Sequence, residues 1–126
     1  MKILIKTKDV LESLVKDSGF QYENILQQGR GNNPFSILLG LVKRDLKLWR
    51  IVRRFRPFLM IGTDPSIAHV GWMMRIPAIT IVEDDHTVIK NLVRTTYPFT
   101  KHILCPEVCT VGNFKHKKIS YTGYMK

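Results

Sequence analysis

Cysteine, acidic residues and long apolar runs are all scarce in this chain, and each scarcity removes a class of protein. Only Cys105 and Cys109 occur, as Cys-Pro-Glu-Val-Cys, which supports neither a disulfide scaffold nor the paired spacing of a zinc ribbon. Adding His102 and His116 gives no standard finger spacing, so no metal site is expected. Acids number 10 against 20 lysines and arginines, a net charge of +10. Such a surface attracts polyanions: nucleic acid, anionic membrane or phosphorylated substrates. No stretch approaches the roughly 20 apolar residues of a membrane span, and the opening Met-Lys-Ile-Leu-Ile-Lys is too short an apolar run for an export signal. A cytoplasmic protein, at most peripheral to the inner membrane face, is the expectation. There is also no Walker loop, no Gly-x-Gly-x-x-Gly after the first strand and no Gly-x-Ser-x-Gly elbow, which weakens kinase, dinucleotide and hydrolase readings.

What is present reads as one α/β domain. At 126 residues, 44% hydrophobic and 24% charged, the chain can bury a single core but not two domains of an enzyme. Short apolar runs at residues 1–6, 22–25, 58–61, 77–82, 102–104 and 118–121 alternate with helical patterns at 8–18, 34–55, 65–75 and 86–97. Gly19 stops the first helix, Pro34 opens the second and Arg56-Pro57 closes it. Two of the strands, at 58–61 and 77–82, are apolar without alternation, as in strands covered on both faces. Strand alternating with helix predicts a parallel, Rossmann-like sheet with helices on both faces. Such sheets bind ligands outside the carboxyl ends of their strands.

Two polar turns fall at those ends. In Gly62-Thr-Asp-Pro-Ser66, Asp64 can cap a helix opened by Pro65, while Thr63, Ser66 and the free amides can meet a ligand. Glu83-Asp-Asp-His86 places three acids and a histidine at the next strand end. Neighbouring carboxylates there can raise one another's pKa or gather a hard cation, and Asp85 can equally cap a helix beginning at His86. His69, inside a helix, reads as a satisfied core histidine.

The long helix carries much of the positive charge. Wound at about 100° per residue, it gathers Lys43, Lys47, Arg50 and Arg54 on one stripe, with Leu38, Leu41, Leu48, Trp49, Val52 and Phe55 opposite. The stripe reads as the solvated face of a sheet-packed helix, or as a contact with an anionic membrane. Nucleic acid is the less favoured partner.

With those residues in place, the chain resembles domain-of-unknown-function family 354, and through it the amino-terminal half of GT-B glycosyltransferases and of UDP-N-acetylglucosamine 2-epimerase. The resemblance runs in order through Lys8-Asp-Val-Leu11, Phe55-Arg-Pro57, Gly62-Thr-Asp-Pro-Ser-Ile-Ala-His-Val70, Arg75-Ile-Pro77, Glu83-Asp-Asp85, Thr96-Tyr-Pro-Phe99, Ile103-Leu-Cys-Pro-Glu107 and Lys118-Ile-Ser-Tyr-Thr-Gly-Tyr124. It implies a ligand cleft lined by Gly62, Thr63, Asp64, Ser66, Glu83, His86, Pro106, Glu107, Tyr121, Gly123 and Tyr124, with the catalytic residues Asp84 and Asp85 acting as a base or as contacts to acceptor hydroxyls. Relatives begin with an earlier strand, loop and helix and continue into a second domain that holds most of the nucleotide-sugar donor site. The resemblance therefore implies that residues 1–126 are a partial amino-terminal domain, inactive alone. No cofactor is expected in this chain, and a UDP-sugar or similar donor only with the second domain. The expected acceptor is a sugar, lipid-linked or phosphorylated molecule. An incomplete sheet implies an unpaired edge through which copies can associate. The runner-up is a small basic α/β module for anionic membrane or nucleic acid.

Overall fold

The computed structural model describes residues 2–6, 11–26 and 33–123. The chain divides into two compact units, Met1–Lys47 and Leu48–Lys126.

In the first unit, β1 (Ile3–Lys6) and β2 (Tyr22–Leu26) pair in parallel around α1 (Leu11–Asp17). Lys2 and Glu23 close an ion pair at 2.9 Å across the two strands. Gly19 takes the positive φ that ends α1, as its sequence position predicts. The expected start of that helix, over residues 8–10, lies outside the described residues, as does the glycine- and asparagine-rich stretch 27–32. The long helix α2 (Pro34–Phe55) begins at its proline and ends before Arg56-Pro57. Arg56 leaves it with φ 49°, and the proline that follows cannot continue it.

The second unit holds a four-stranded parallel sheet in the order β3 (Met60–Gly62), β4 (Ala78–Ile81), β5 (His102–Pro106) and β6 (Lys118–Tyr121). Helix α3 (Pro65–Met74) packs on β3, β4 and α4 (Lys90–Thr96). This is a Rossmann-like α/β arrangement, as alternation of strand and helix requires. Its close packing is visible at Gly71, where an added Cβ would meet the Ile76 carbonyl at 2.9 Å and Ala78 Cβ at 3.0 Å.

The two faces of the sheet are covered unequally. Met60, Ala78, Thr80, Ile103 and Cys105 point to one side and are buried. The core there continues through Val82, Tyr97, Cys109 and Val111. On the other side, Ile79, Ile81 and Leu104 are half-buried, while Ile61 and Ile119 at the two edges are 56% and 43% exposed.

Helix α4 starts at Lys90 and not at His86 as the sequence suggests. Asp85 and His86 are drawn instead toward residue 110, so residues 86–88 form a turn in which the Val88 and Ile89 amides donate to the Asp85 carbonyl at 2.9 and 3.2 Å. A 3₁₀ segment, Gly112–Lys117, joins β5 to β6.

Candidate functional site

Because β3 to β6 are parallel, their carboxyl ends share one edge, from which three loops and the residues after β6 leave. The sequence-predicted residues divide among these loops, and the structure treats them differently.

At the end of β3, Gly62 is half-buried, with an ideal Cβ at 3.4 Å from Ile67 Cδ1. Thr63 is exposed. Asp64 is the N-cap of α3: its Oδ1 accepts from the Ser66 amide at 2.9 Å, with Pro65 in the first helical position. The side chain that caps a helix start satisfies a donor that would otherwise have no partner. Ser66 is buried and its Oγ meets no hydrogen-bond partner.

The loop after β4 is tied to the loop after β5. Asp85 Oδ1 accepts from both the Thr110 amide, at 2.7 Å, and the Thr110 hydroxyl. His86 Nδ1 lies 2.7 Å from the same hydroxyl, and the His86 amide donates to the Thr110 carbonyl at 3.1 Å. The Thr110 hydroxyl, followed by its amide, holds the Asp85 carboxyl below the usual carboxylate range, with smaller contributions from His86 and Lys118. Asp85 thus spends its cap-like geometry on a residue 25 positions away and not on its own helix. Asp84 is exposed. Glu83 is half-buried, and its carbonyl accepts from Cys109 Sγ at 3.0 Å.

Further along, Pro106 is buried and Glu107 is exposed, its amide donating to the Tyr121 carbonyl at 3.1 Å. Lys118 Nζ ties the loop down by donating to the carbonyls of Glu107 and Cys109, at 3.0 and 2.6 Å. Tyr121 is half-buried with its hydroxyl enclosed and unpartnered. Burial, and then the nearby Glu83, pushes its pKa up. Gly123 has a positive φ of 96°, and Tyr124 lies outside the described residues. Both thiols are free and buried, and burial pushes them up, away from the thiolate form that a nucleophile needs.

Glu83, Asp85, His86, Glu107 and Tyr121 are therefore brought to neighbouring loops, while Asp64 is engaged in capping α3. Sequence reasoning missed Thr110, which links the two central loops, and Gly112, whose ideal Cβ would fall 3.0 Å from His86 Cδ2. The available signal was a threonine and a glycine shortly after a strand end, too common a pattern to single out. Elsewhere, His69 Nε2 lies 2.5 Å from the Thr95 carbonyl and its ring meets Phe99 edge-on at 5.2 Å, a packed structural histidine. A cavity of about 680 Å³ lined by Trp72, Ile76, Pro77, Phe99 and Lys101 belongs to the amino-terminal edge of the sheet and does not serve these loops.

The four cations of α2 are exposed, with Lys47 Nζ donating to the Asn24 carbonyl at 2.8 Å. The apolar side expected opposite them is covered only in part. Leu48 and Val52 are buried, while Leu38 and Phe55 are exposed, as are Phe35, Leu39, Val42 and Leu46. Wound as a helix, Phe35, Leu39, Val42 and Leu46 form an arc directly beside the cationic stripe.

No helix among the described residues is long and apolar enough to cross a membrane. Compared with known proteins, the chain matches no family model and no curated sequence.

Proposed function

We propose that this chain is the acceptor-side half of a GT-B-like, sugar-nucleotide-dependent glycosyltransferase, inactive alone, whose donor site belongs to another domain. The observation that carries the reading is the shared carboxyl edge of β4, β5 and β6, where Asp85, His86, Thr110, Glu107 and Tyr121 lie on adjoining loops. Hydroxyl-rich acceptors are recognised by such pairings of carboxylate and imidazole, which can accept from or donate to a sugar hydroxyl. A sheet edge of this kind can serve as one wall of a cleft completed from outside.

The test is amide NMR of the labelled chain. N-acetylglucosamine and farnesyl phosphate serve as acceptor probes and UDP-N-acetylglucosamine as the donor probe. Perturbations are expected at residues 83–86, 107–110 and 121–123 with an acceptor probe and not with the donor. Silence of these loops toward both acceptor probes, or tight donor binding by this chain, would remove the reading. The part of the two acids in turnover is separable: in a version carrying a donor domain, Asp84→Ala and Asp85→Ala must lower turnover.

A second reading has its own support. The exposed apolar arc of α2 beside Lys43, Lys47, Arg50 and Arg54 is the pattern of a helix that lies on an anionic membrane. On this reading the chain is a peripheral membrane module. The two readings are compatible where the acceptor is lipid-linked.

A further inference from the structure

The hydrogen positions in the Asp85–Thr110–His86 chain follow from counting. Thr110 has one hydroxyl hydrogen and two polar neighbours, Asp85 Oδ1 and His86 Nδ1. Asp85, whose carboxyl is held in its ionised form by Thr110, can only accept. The hydroxyl hydrogen therefore goes to the carboxylate, and His86 can reach the hydroxyl oxygen only as an Nδ1–H donor. In a neutral imidazole the lone pair then resides on Nε2. No hydrogen bond to Nε2 occurs among the described residues. At the ring's other edge Gly112, at φ +59°, leaves room where a Cβ would stand 3.0 Å from Cδ2 and 3.3 Å from Nε2.

We propose that His86 Nε2 is the proton acceptor for a substrate hydroxyl at this edge, and that Asp85 and Thr110 are the positioning residues that fix its tautomer and direction. The proposal rests on the acceptor-side reading above and adds to it the identity of the base. In the step, the hydroxyl proton moves to Nε2 while its electron pair stays on oxygen. That oxygen bonds to the anomeric carbon of a nucleotide-diphosphate sugar as the bond from that carbon to the phosphate oxygen breaks. The nucleotide diphosphate leaves with that electron pair, and the imidazolium later returns its proton to water. Asp85 never receives the proton; its part is to take the threonine hydrogen and so oblige Nδ1 to donate, an arrangement of base and orienting group common to acid–base sites.

Long-range proton–nitrogen NMR of the histidine-labelled chain, at a pH where the ring is neutral, reads the tautomer directly. Wild type and Thr110→Ser are expected to show His86 with Nδ1 protonated. Thr110→Val, which keeps the shape and loses the hydroxyl, is expected to convert most of the population to the Nε2–H form. Diethyl pyrocarbonate with peptide mass mapping reads access to Nε2: His86 should be modified severalfold faster than His69, whose Nε2 is engaged by the Thr95 carbonyl. An Nε2–H ring in wild type, a tautomer unmoved by Thr110→Val, or a His86 no more reactive than His69 would each overturn the proposal. Neither readout uses sugar or nucleotide, so loss of the acceptor-side reading and loss of this one are told apart.

Discussion

Asp85 and Tyr97 are ionisable residues whose surroundings push them in opposite directions, and each leaves a signature in stability. The Asp85 carboxyl is lowered, so the folded state holds the anion more tightly than the unfolded chain. Its contribution is complete above the ordinary carboxylate pKa and is lost as pH falls through the lowered folded value. Urea midpoints measured through the acid range should therefore fall more steeply for wild type than for Asp85→Asn, and parallel slopes would contradict the Thr110 contacts. Tyr97 is the reverse case. It is wholly buried with its hydroxyl unpartnered, and burial raises its pKa from 10.0 to about 12. The unfolded chain loses this proton first, so stability is full below about 10 and declines as pH rises toward 12. Tyr97→Phe should flatten that alkaline decline. It should also stabilise the protein at neutral pH by about 1 kcal/mol, because a buried hydroxyl without a partner carries its desolvation cost uncompensated. The edge-on contact with Phe114, at 5.6 Å, survives the change.

Between elements, the residues that close helices are the informative ones. Helix α3 ends on Arg75 at φ 57° and ψ 32°, with its amide reaching back to the Gly71 and Trp72 carbonyls. That is the left-handed cap position where glycine is usual and any Cβ is strained. Arg75→Gly is expected to raise stability by about 1 kcal/mol, read as a higher urea midpoint at unchanged slope. Nothing in the sequence marks Arg75 as left-handed, whereas Gly19, Pro34 and Asp64 announce their caps by residue type. The same division runs through the fold. Strands β3 to β6 and helices α2 and α3 were legible because apolar runs, Pro34, Asp64-Pro65 and Arg56-Pro57 are local signals. The start of α4 and the 3₁₀ segment were not. The start of α4 depends on Thr110 drawing in Asp85 and His86 across 25 and 24 positions, and no local pattern carries that. The candidate site was legible as a set of strand ends but not as the hydrogen-bonded Asp85–Thr110–His86 chain. The face of α2 was half legible, since periodicity defines an apolar arc without saying which part of it finds a partner.

At the scale of the whole molecule, two features remain in excess of what a closed α/β unit needs: a net charge of +10 and apolar surface that the described residues leave open. Part of that surface is on the sheet, at Ile61 and Ile119 on the edge strands, where self-association would take place through edge pairing. The larger part is on α2, where Phe35 is 72% exposed and Leu39, Val42 and Leu46 follow it along one arc. Charge alone would bring any polyanion; on the membrane reading, the adjoining apolar arc would select a surface that has both anionic groups and hydrocarbon beneath them. Nucleic acid offers the first without the second. The chain should therefore float with vesicles containing phosphatidylglycerol and remain behind with pure phosphatidylcholine. Arg50→Gln with Arg54→Gln removes two exposed cations of the stripe. At about 1 kcal/mol per basic residue near an anionic surface, the double variant should partition about 30-fold more weakly, and the difference should shrink as salt is raised. Phe35→Ser should weaken partitioning as well, but by an amount that salt leaves unchanged, because that loss is of apolar burial. If the double variant partitions as wild type does, the cationic stripe is only a solvated face; if Phe35→Ser alone has no effect, the contact is electrostatic and the arc does not enter the bilayer.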